Sequence, residues 1–254
     1  MGGKGMKQID EQAGAWTKAF ESGKFVRKSS EFRDSIEVDG TFDVESDRYH
    51  LYISHACPWA HRTLITRAIL GLEKHITVDV VDWRMNPNGS WSFNPDEEGA
   101  TADTINGEDS LEGIYNRAFD GWSASGNIGT VPVLWDKKHE TIVNNESSEI
   151  IRMLDTLAQS GLGNGATLCP AQLKQDIEAM IDANYEAVNN GVYKSGFART
   201  QSAYDEAVTA LFARLDELEA HLEGREWLVG DGKGQLTEAD ICLFPTLVRF
   251  DLVY

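Results

Sequence analysis

The chain has 254 residues and a formal net charge of −18. That length supplies core for one large domain or two ordinary ones, and an acidic balance with no offsetting basic cluster argues against nucleic acid or an anionic membrane as a partner. Cys57, Cys169 and Cys242 are an odd number and widely spaced, and no leader-like apolar run precedes Tyr49, so a reducing cytoplasm is the expected setting. No apolar run reaches the length of a membrane span.

Residues 1–45 are polar and glycine-rich up to the Asp39-Gly40 turn signal, yet they hold Trp16, Phe20, Phe25 and Phe32. The expectation is an ordered extension laid over the body. A first domain is expected over 46–160. It opens on Tyr49 to Ser54, whose aromatic and β-branched residues alternate as in a strand. The next stretch, from Trp59 on, places Leu64, Ile65, Ala68, Ile69 and Leu72 at helical spacing. Pro58 suits the first helical position, which makes Cys57 the N-cap. Unpaired backbone N–H groups and the positive end of the helix dipole favour a thiolate there, so Cys57 is a candidate nucleophile. The plainer alternative is a buried, inert cysteine. Ala60 stands where a resolving cysteine would, so an oxidised Cys57 needs an outside thiol, and glutathione is the abundant one in cytosol.

Ile76 to Asp82 alternates as a second strand. Residues 84–129 form a long insertion with an Asn86-Pro87-Asn88-Gly89 turn and one helix near Leu111 to Phe119. Its Trp91 and Trp122 suit either a substrate wall or a packed lid. Val131 to Asp136 and Thr141 to Asn144 read as a hairpin, and Glu146-Ser147 opens a helix through Ile150, Ile151, Met153, Leu154 and Leu157. This order is that of a thioredoxin-like α/β domain. In such folds a proline stands beside the active-site cysteine, the place held here by Val131-Pro132. His55 and His61 could be drawn with Cys57 as a metal site, but they straddle a strand end and a helix, and zinc ligands show tighter repeated spacing, so no metal is expected.

After the glycine-rich linker at 161–165, helical periodicity takes over, and 166–254 is expected to be an all-helical second domain. Ala207, Val208, Leu211, Leu215, Leu218 and Leu222 form one apolar face. Thr237 and Asp240 make an Asp version of the capping box, leading into a helix with Ile241, Phe244, Leu247 and Val248. Asp240 is read as structural.

Together these features resemble the glutathione transferases: an α/β thioredoxin-like N-terminal domain plus an all-α C-terminal domain. More narrowly, Ala56-Cys57-Pro58-Trp59-Ala60-His61-Arg62, Val131-Pro132-Val133-Leu134-Trp135-Asp136, Asn145-Glu146-Ser147, Asn189-Asn190-Gly191-Val192-Tyr193, Leu236 to Ile241 and Arg249-Phe250-Asp251 resemble the xi class, the glutathionyl-hydroquinone reductases. The resemblance runs from Phe25 to Tyr254. It implies that Cys57 attacks the sulfur of a glutathionyl-hydroquinone, expels the hydroquinone and holds glutathione as a mixed disulfide, which a second glutathione releases as oxidised glutathione. Glutathione is then a co-substrate. Its peptide part would pair with the Val131 backbone beside Pro132, its γ-glutamyl end would meet Glu146 and Ser147, and Trp91 would lie beside it. Tyr193 would donate to a ring oxygen of the hydroquinone. The same cysteine run also fits an omega-like thiol transferase or dehydroascorbate reductase, or a non-enzymatic glutathione-binding protein on this scaffold. Family chains are homodimers and continue past Arg249-Phe250-Asp251 with further helices that close the hydroquinone pocket, so the resemblance also implies an incomplete second domain, with turnover and dimer contacts affected.

Overall fold

The computed structural model describes residues 20–86, 89–125 and 127–254. Trp16, with the rest of 1–19, and Pro87-Asn88 of the expected turn lie outside the described residues. The chain forms two compact units, one holding 29–165 and the other joining 20–28 to 166–254. The extension therefore divides between the two units after Lys28.

Residues 20–28 carry an antiparallel ribbon, β1 (Phe20–Glu21) with β2 (Lys24–Phe25). Ser22 and Gly23 between them have φ of 51° and 83°. Two successive positive φ values suit the right-handed twist of a tight hairpin. Gly23 is required twice over, because a Cβ there would also stand 2.8 Å from Thr200 Cγ2.

In the first unit, β3 (Tyr49–Ile53) leads through α1 (Pro58–Ile69) to β4 (Ile76–Val80), which lies parallel to β3. The insertion supplies α2 (Leu111–Ala118). A hairpin of β5 (Val133–Asp136) and β6 (Thr141–Asn144) follows, and then α3 (Ser147–Leu157), which packs on α1. The sheet order is β4-β3-β5-β6, with β5 antiparallel to both neighbours. This is the thioredoxin-like arrangement. Every residue of β3 is buried, which is why the strand is aromatic and apolar on both faces and not half polar. Leu51, Ile53, Leu70 and Ile76 are fully enclosed, and burial of side chains of this size contributes about 1.5–3 kcal/mol each.

Of the two alternatives for the insertion, Trp122 takes the packed one. It is only 4% exposed and lies 4.7 Å, ring to ring, from Tyr115, so it packs and is no substrate wall. The reason is local: the amphipathic face of α2 turns Leu111, Ile114 and Tyr115 inward, and that face needs an aromatic cover.

Two buried carboxylates tie polar groups into this sheet. Asp79 on β4 accepts from the backbone N–H (2.6 Å) and hydroxyl of Thr104, and His50 Nε2 stands 3.3 Å from its Oδ2. Burial alone would raise the Asp79 carboxyl, but His50 and Thr104 outweigh it and hold it below its ordinary value. Asp136 is likewise held low, with burial opposed by Arg48. A folded-state value below the unfolded one means stability that is complete above the ordinary carboxylate range and is lost as pH falls through the lowered value. Thermal unfolding scanned downward from pH 7 is therefore expected to show a falling midpoint once pH enters the range near about 4. Asp79→Asn should make that acid limb shallower; an unchanged slope would refute the assignment.

The second unit continues with α4 (Lys174–Asn184), α5 (Gly191–Gly196), α6 (Gln201–Leu222), α7 (Glu238–Leu247) and α8 (Phe250–Val253). Ile177, Val188, Val192, Leu211, Leu218 and Leu243 lie at its core. The capping box is present: Asp240 Oδ2 accepts from the Thr237 N–H at 2.8 Å, and Oδ1 also accepts from the Leu228 N–H at 2.9 Å. Ala239, Ile241, Cys242, Leu243 and Thr246 are buried, while Phe244, Leu247 and Val248 are exposed. The buried Asn189 amide donates to the Cys242 carbonyl (3.1 Å) and the Thr246 hydroxyl (2.9 Å) of α7. Among the described residues no helix is long and apolar enough to cross a membrane.

Candidate active site

The β3–α1 junction presents Cys57. The Cys57 N–H donates to the Ser54 carbonyl at 3.1 Å, and the Ser54 hydroxyl donates to the Asp82 carbonyl, so the turn is anchored to the end of the sheet. Cys57 is extended, with φ −88° and ψ 117°, and Pro58 begins the helix. Its sulfur takes the Ala60 N–H at 3.4 Å, which is N-cap geometry. The reduced, half-exposed thiol also donates to the Val131 carbonyl at 3.4 Å. The Val131–Pro132 bond is cis. Cysteine and proline loop are therefore in contact.

Glu146 caps α3. Its Oε1 accepts from the Ser148 N–H and hydroxyl, and its Oε2 from the Ser30 hydroxyl at 3.0 Å. Ser147 is buried at the first position of α3 and takes a hydrogen bond from Arg62 Nη1 at 3.3 Å. Arg62, on α1, is itself buried, and its guanidinium lies 4.5 Å above the Trp59 ring. The cysteine helix is thus joined directly to the start of α3. Trp91 is half-buried in the insertion, and its carbonyl accepts the Leu111 N–H at the start of α2. Tyr193 belongs to the second unit. There it stacks on Phe25 (6.2 Å, 23°) beneath the Arg27 guanidinium (4.5 Å).

Three residues had no role in the sequence reading. Arg62 stood within the cysteine motif, and a buried arginine shows in sequence only as a charge interrupting an apolar helix face. Tyr115 fell unremarked within the helix expected near Leu111 to Phe119, and Asn145 appeared only in the run Asn145-Glu146-Ser147. The Tyr115 hydroxyl donates to the Thr130 carbonyl at 2.8 Å and accepts from Asn145 Nδ2 at 2.9 Å. Burial raises the Tyr115 hydroxyl above its ordinary value, so it acts as a neutral phenol. Among the described residues no cluster of three or more His, Cys, Asp or Glu is placed to hold a metal.

A thioredoxin-like sheet that sets an N-cap cysteine against a cis-proline, in a chain whose second unit is mainly helical, is the arrangement of the glutathione transferases. Residues 56–157 match the family described as the glutathione S-transferase N-terminal domain, and 201–254 the glutathione S-transferase C-terminal domain. The chain is 48% identical over 246 residues to the glutathionyl-hydroquinone reductase PcpF of Sphingobium chlorophenolicum, covering 95% of this chain and 75% of that protein. Glutathione transferase Xi 1 of Trametes versicolor superposes with a TM-score of 0.83 at 49% identity, over 89% of this chain and 77% of that one. The glutathione-bound structure of YqjG from Escherichia coli K-12 gives 0.82 at 48%, over 88% and 73%. The chain belongs to the xi class of glutathione transferases, the family of the glutathionyl-hydroquinone reductases.

Proposed function

We propose that this protein reduces glutathionyl-hydroquinones to hydroquinones at the expense of glutathione, through a mixed disulfide on Cys57. The observation that carries the reading is the position of the Cys57 sulfur, at the N-cap of α1 and 3.4 Å from the Val131 carbonyl, with Ala60 where a resolving thiol would stand. The Cys57 thiolate attacks the glutathione sulfur of the substrate. A sulfur–sulfur bond forms as the sulfur–aryl bond breaks, and the electron pair of that bond passes to the ring carbon, which takes a proton. The ring is thereby reduced and the two sulfurs oxidised. A second glutathione thiolate attacks the glutathione sulfur of the mixed disulfide, giving oxidised glutathione and regenerating Cys57.

Glutathione is held along the same wall. The Val131 backbone, beside Pro132, pairs with its peptide part as a short added strand. The Glu146 carboxylate, already oriented by Ser30 and Ser148, faces the ammonium of the γ-glutamyl end. Ser147 and the N-terminus of the eleven-residue α3 take its carboxylate. Trp91 flanks the tripeptide, and Tyr193 donates to a hydroquinone oxygen, a role that rests on family likeness. The setting proposed is the reducing cytoplasm, with a homodimer as the assembly.

The test is turnover of a synthetic glutathionyl-hydroquinone with excess glutathione, following oxidised glutathione and hydroquinone together. Equal yields are expected, and mass spectrometry after a single addition of substrate without glutathione should find Cys57 carrying one glutathione. Silence on this substrate with turnover of a small mixed disulfide would replace the reading with an omega-like thiol transferase.

A further inference from the structure

The two backbone segments proposed to hold glutathione, 130–132 and 145–147, are joined by one side chain from the insertion. Tyr115 is fully buried on α2. Its hydroxyl donates to the Thr130 carbonyl at 2.8 Å, accepts from the Thr130 N–H at 3.3 Å and accepts from Asn145 Nδ2 at 2.9 Å. Thr130 directly precedes Val131-Pro132, and Asn145 directly precedes Glu146-Ser147. Asn145 is pinned from its other side as well, since its Oδ1 accepts from the Phe32 N–H at 3.2 Å.

The ring is held as closely as the hydroxyl. Trp122 lies 4.7 Å from it and Phe32 meets it edge-on at 5.7 Å. The loop passes so near that a Cβ on Gly129 would stand 2.9 Å from Tyr115 Cδ2, inside any real contact. The approach of loop to ring is therefore built into the sequence at both residue 115 and residue 129.

We propose that Tyr115 is a positioning residue for glutathione, a strut through which the insertion fixes the spacing between the Val131-Pro132 segment and the Glu146-Ser147 turn. The inference rests on the glutathione contacts proposed above. Glutathione must engage both segments at once, so its affinity depends on their separation being set before it arrives. Without the hydroxyl, a carbonyl, an amide N–H and a side-chain amide lose their common partner, and each is free to drag its segment away. Chemistry at the sulfur is untouched, because Tyr115 contacts neither Cys57 nor any reacting atom in this scheme.

The experiment compares the parent chain with Tyr115→Phe, by calorimetric titration with glutathione and by steady-state kinetics. The expected result is a rise of about tenfold in both the dissociation constant and the KM for glutathione. At saturating glutathione, kcat should stay within about twofold. Tyr49→Phe is the control, since that buried hydroxyl donates to the Asp43 carbonyl at 2.6 Å and touches neither segment. It should lower the melting temperature without moving the KM. Parent-like glutathione affinity in Tyr115→Phe overturns the proposal, as does a fall in kcat with unchanged KM. A parent chain that fails to bind glutathione removes the functional reading and the proposal together, whereas a parent that binds and turns over isolates the proposal. Should Tyr115→Phe not fold, Asn145→Ser cuts one arm of the strut and is expected to weaken glutathione by about threefold; unchanged affinity there also overturns it.

Discussion

Cys57→Ser is expected to reduce turnover of a glutathionyl-hydroquinone to the uncatalysed background, with glutathione affinity within about twofold of the parent. The loss should be complete because the proposed intermediate is a disulfide, and a serine hydroxyl cannot form one. Removing an attacking group without removing the binding wall affects only the covalent step, so Val131, Glu146 and Ser147 should still hold glutathione. Stability is the discriminating control. Serine is a better N-cap than cysteine, and the Ala60 N–H that now reaches sulfur at 3.4 Å would find an oxygen acceptor. The variant's melting temperature should therefore equal or slightly exceed the parent's. Loss of activity with a lowered melting temperature would point to damaged structure, and retained turnover would exclude Cys57 as the nucleophile. Alkylation by iodoacetamide across pH complements the assay: a rate that saturates below the titration of an ordinary cysteine is what the N-cap geometry leads one to expect.

Much of this site was legible in sequence because its signals are local. An N-cap position needs only Cys57 and Pro58 in series, and the capping box needs only Thr237 and Asp240 three apart, so one helical turn of sequence contains the whole interaction. The β3–α1–β4 and hairpin–helix order followed from alternation and periodicity, and the family likeness from contiguous runs around the same junctions. What stayed hidden depends on partners distant in the chain. Tyr115 meets Thr130 and Asn145 across 15 and 30 residues, and nothing in the local pattern of α2 separates a tyrosine that merely packs from one whose hydroxyl joins two loops. Trp122 was ambiguous for the same reason, since exposure of an aromatic in a long insertion is a tertiary property. The seating of α7 depends likewise on a distant partner, since the Asn189 amide, some fifty residues earlier, donates to the Cys242 carbonyl and the Thr246 hydroxyl.

The largest stability effect is expected at the other end of β3. Arg48 immediately precedes the strand, and its Nε and Nη2 donate to the two carboxylate oxygens of Asp136 at 2.8 and 2.7 Å. Both side chains are buried, at 2% and 0% exposure. Arg48 Nη2 also donates to the Thr41 carbonyl at 2.9 Å. The pair crosses from β3 to β5, where Tyr49 is paired with Asp136, and so fixes the register of the sheet's two central strands. Asp136→Ala would leave the buried guanidinium with only the longer, half-exposed contact to Glu45 at 3.7 Å, and losses of this kind run to about 3–5 kcal/mol. For a chain of this size that corresponds to a fall of about 10 °C in melting temperature. Arg48→Met alone should be comparably costly, because it strands the carboxylate instead. The double variant Arg48→Met/Asp136→Leu removes both charges, and desolvating a buried ion pair is itself expensive, so it should recover most of what either single change loses. Such non-additivity is the signature of a paired buried charge and not of lost packing, which would make the double variant the worst of the three. Turnover per folded molecule should be unchanged throughout, since the pair lies at the start of β3 and Cys57 beyond its end. Single variants within about 1 kcal/mol of the parent in urea unfolding would show that the pair holds no register.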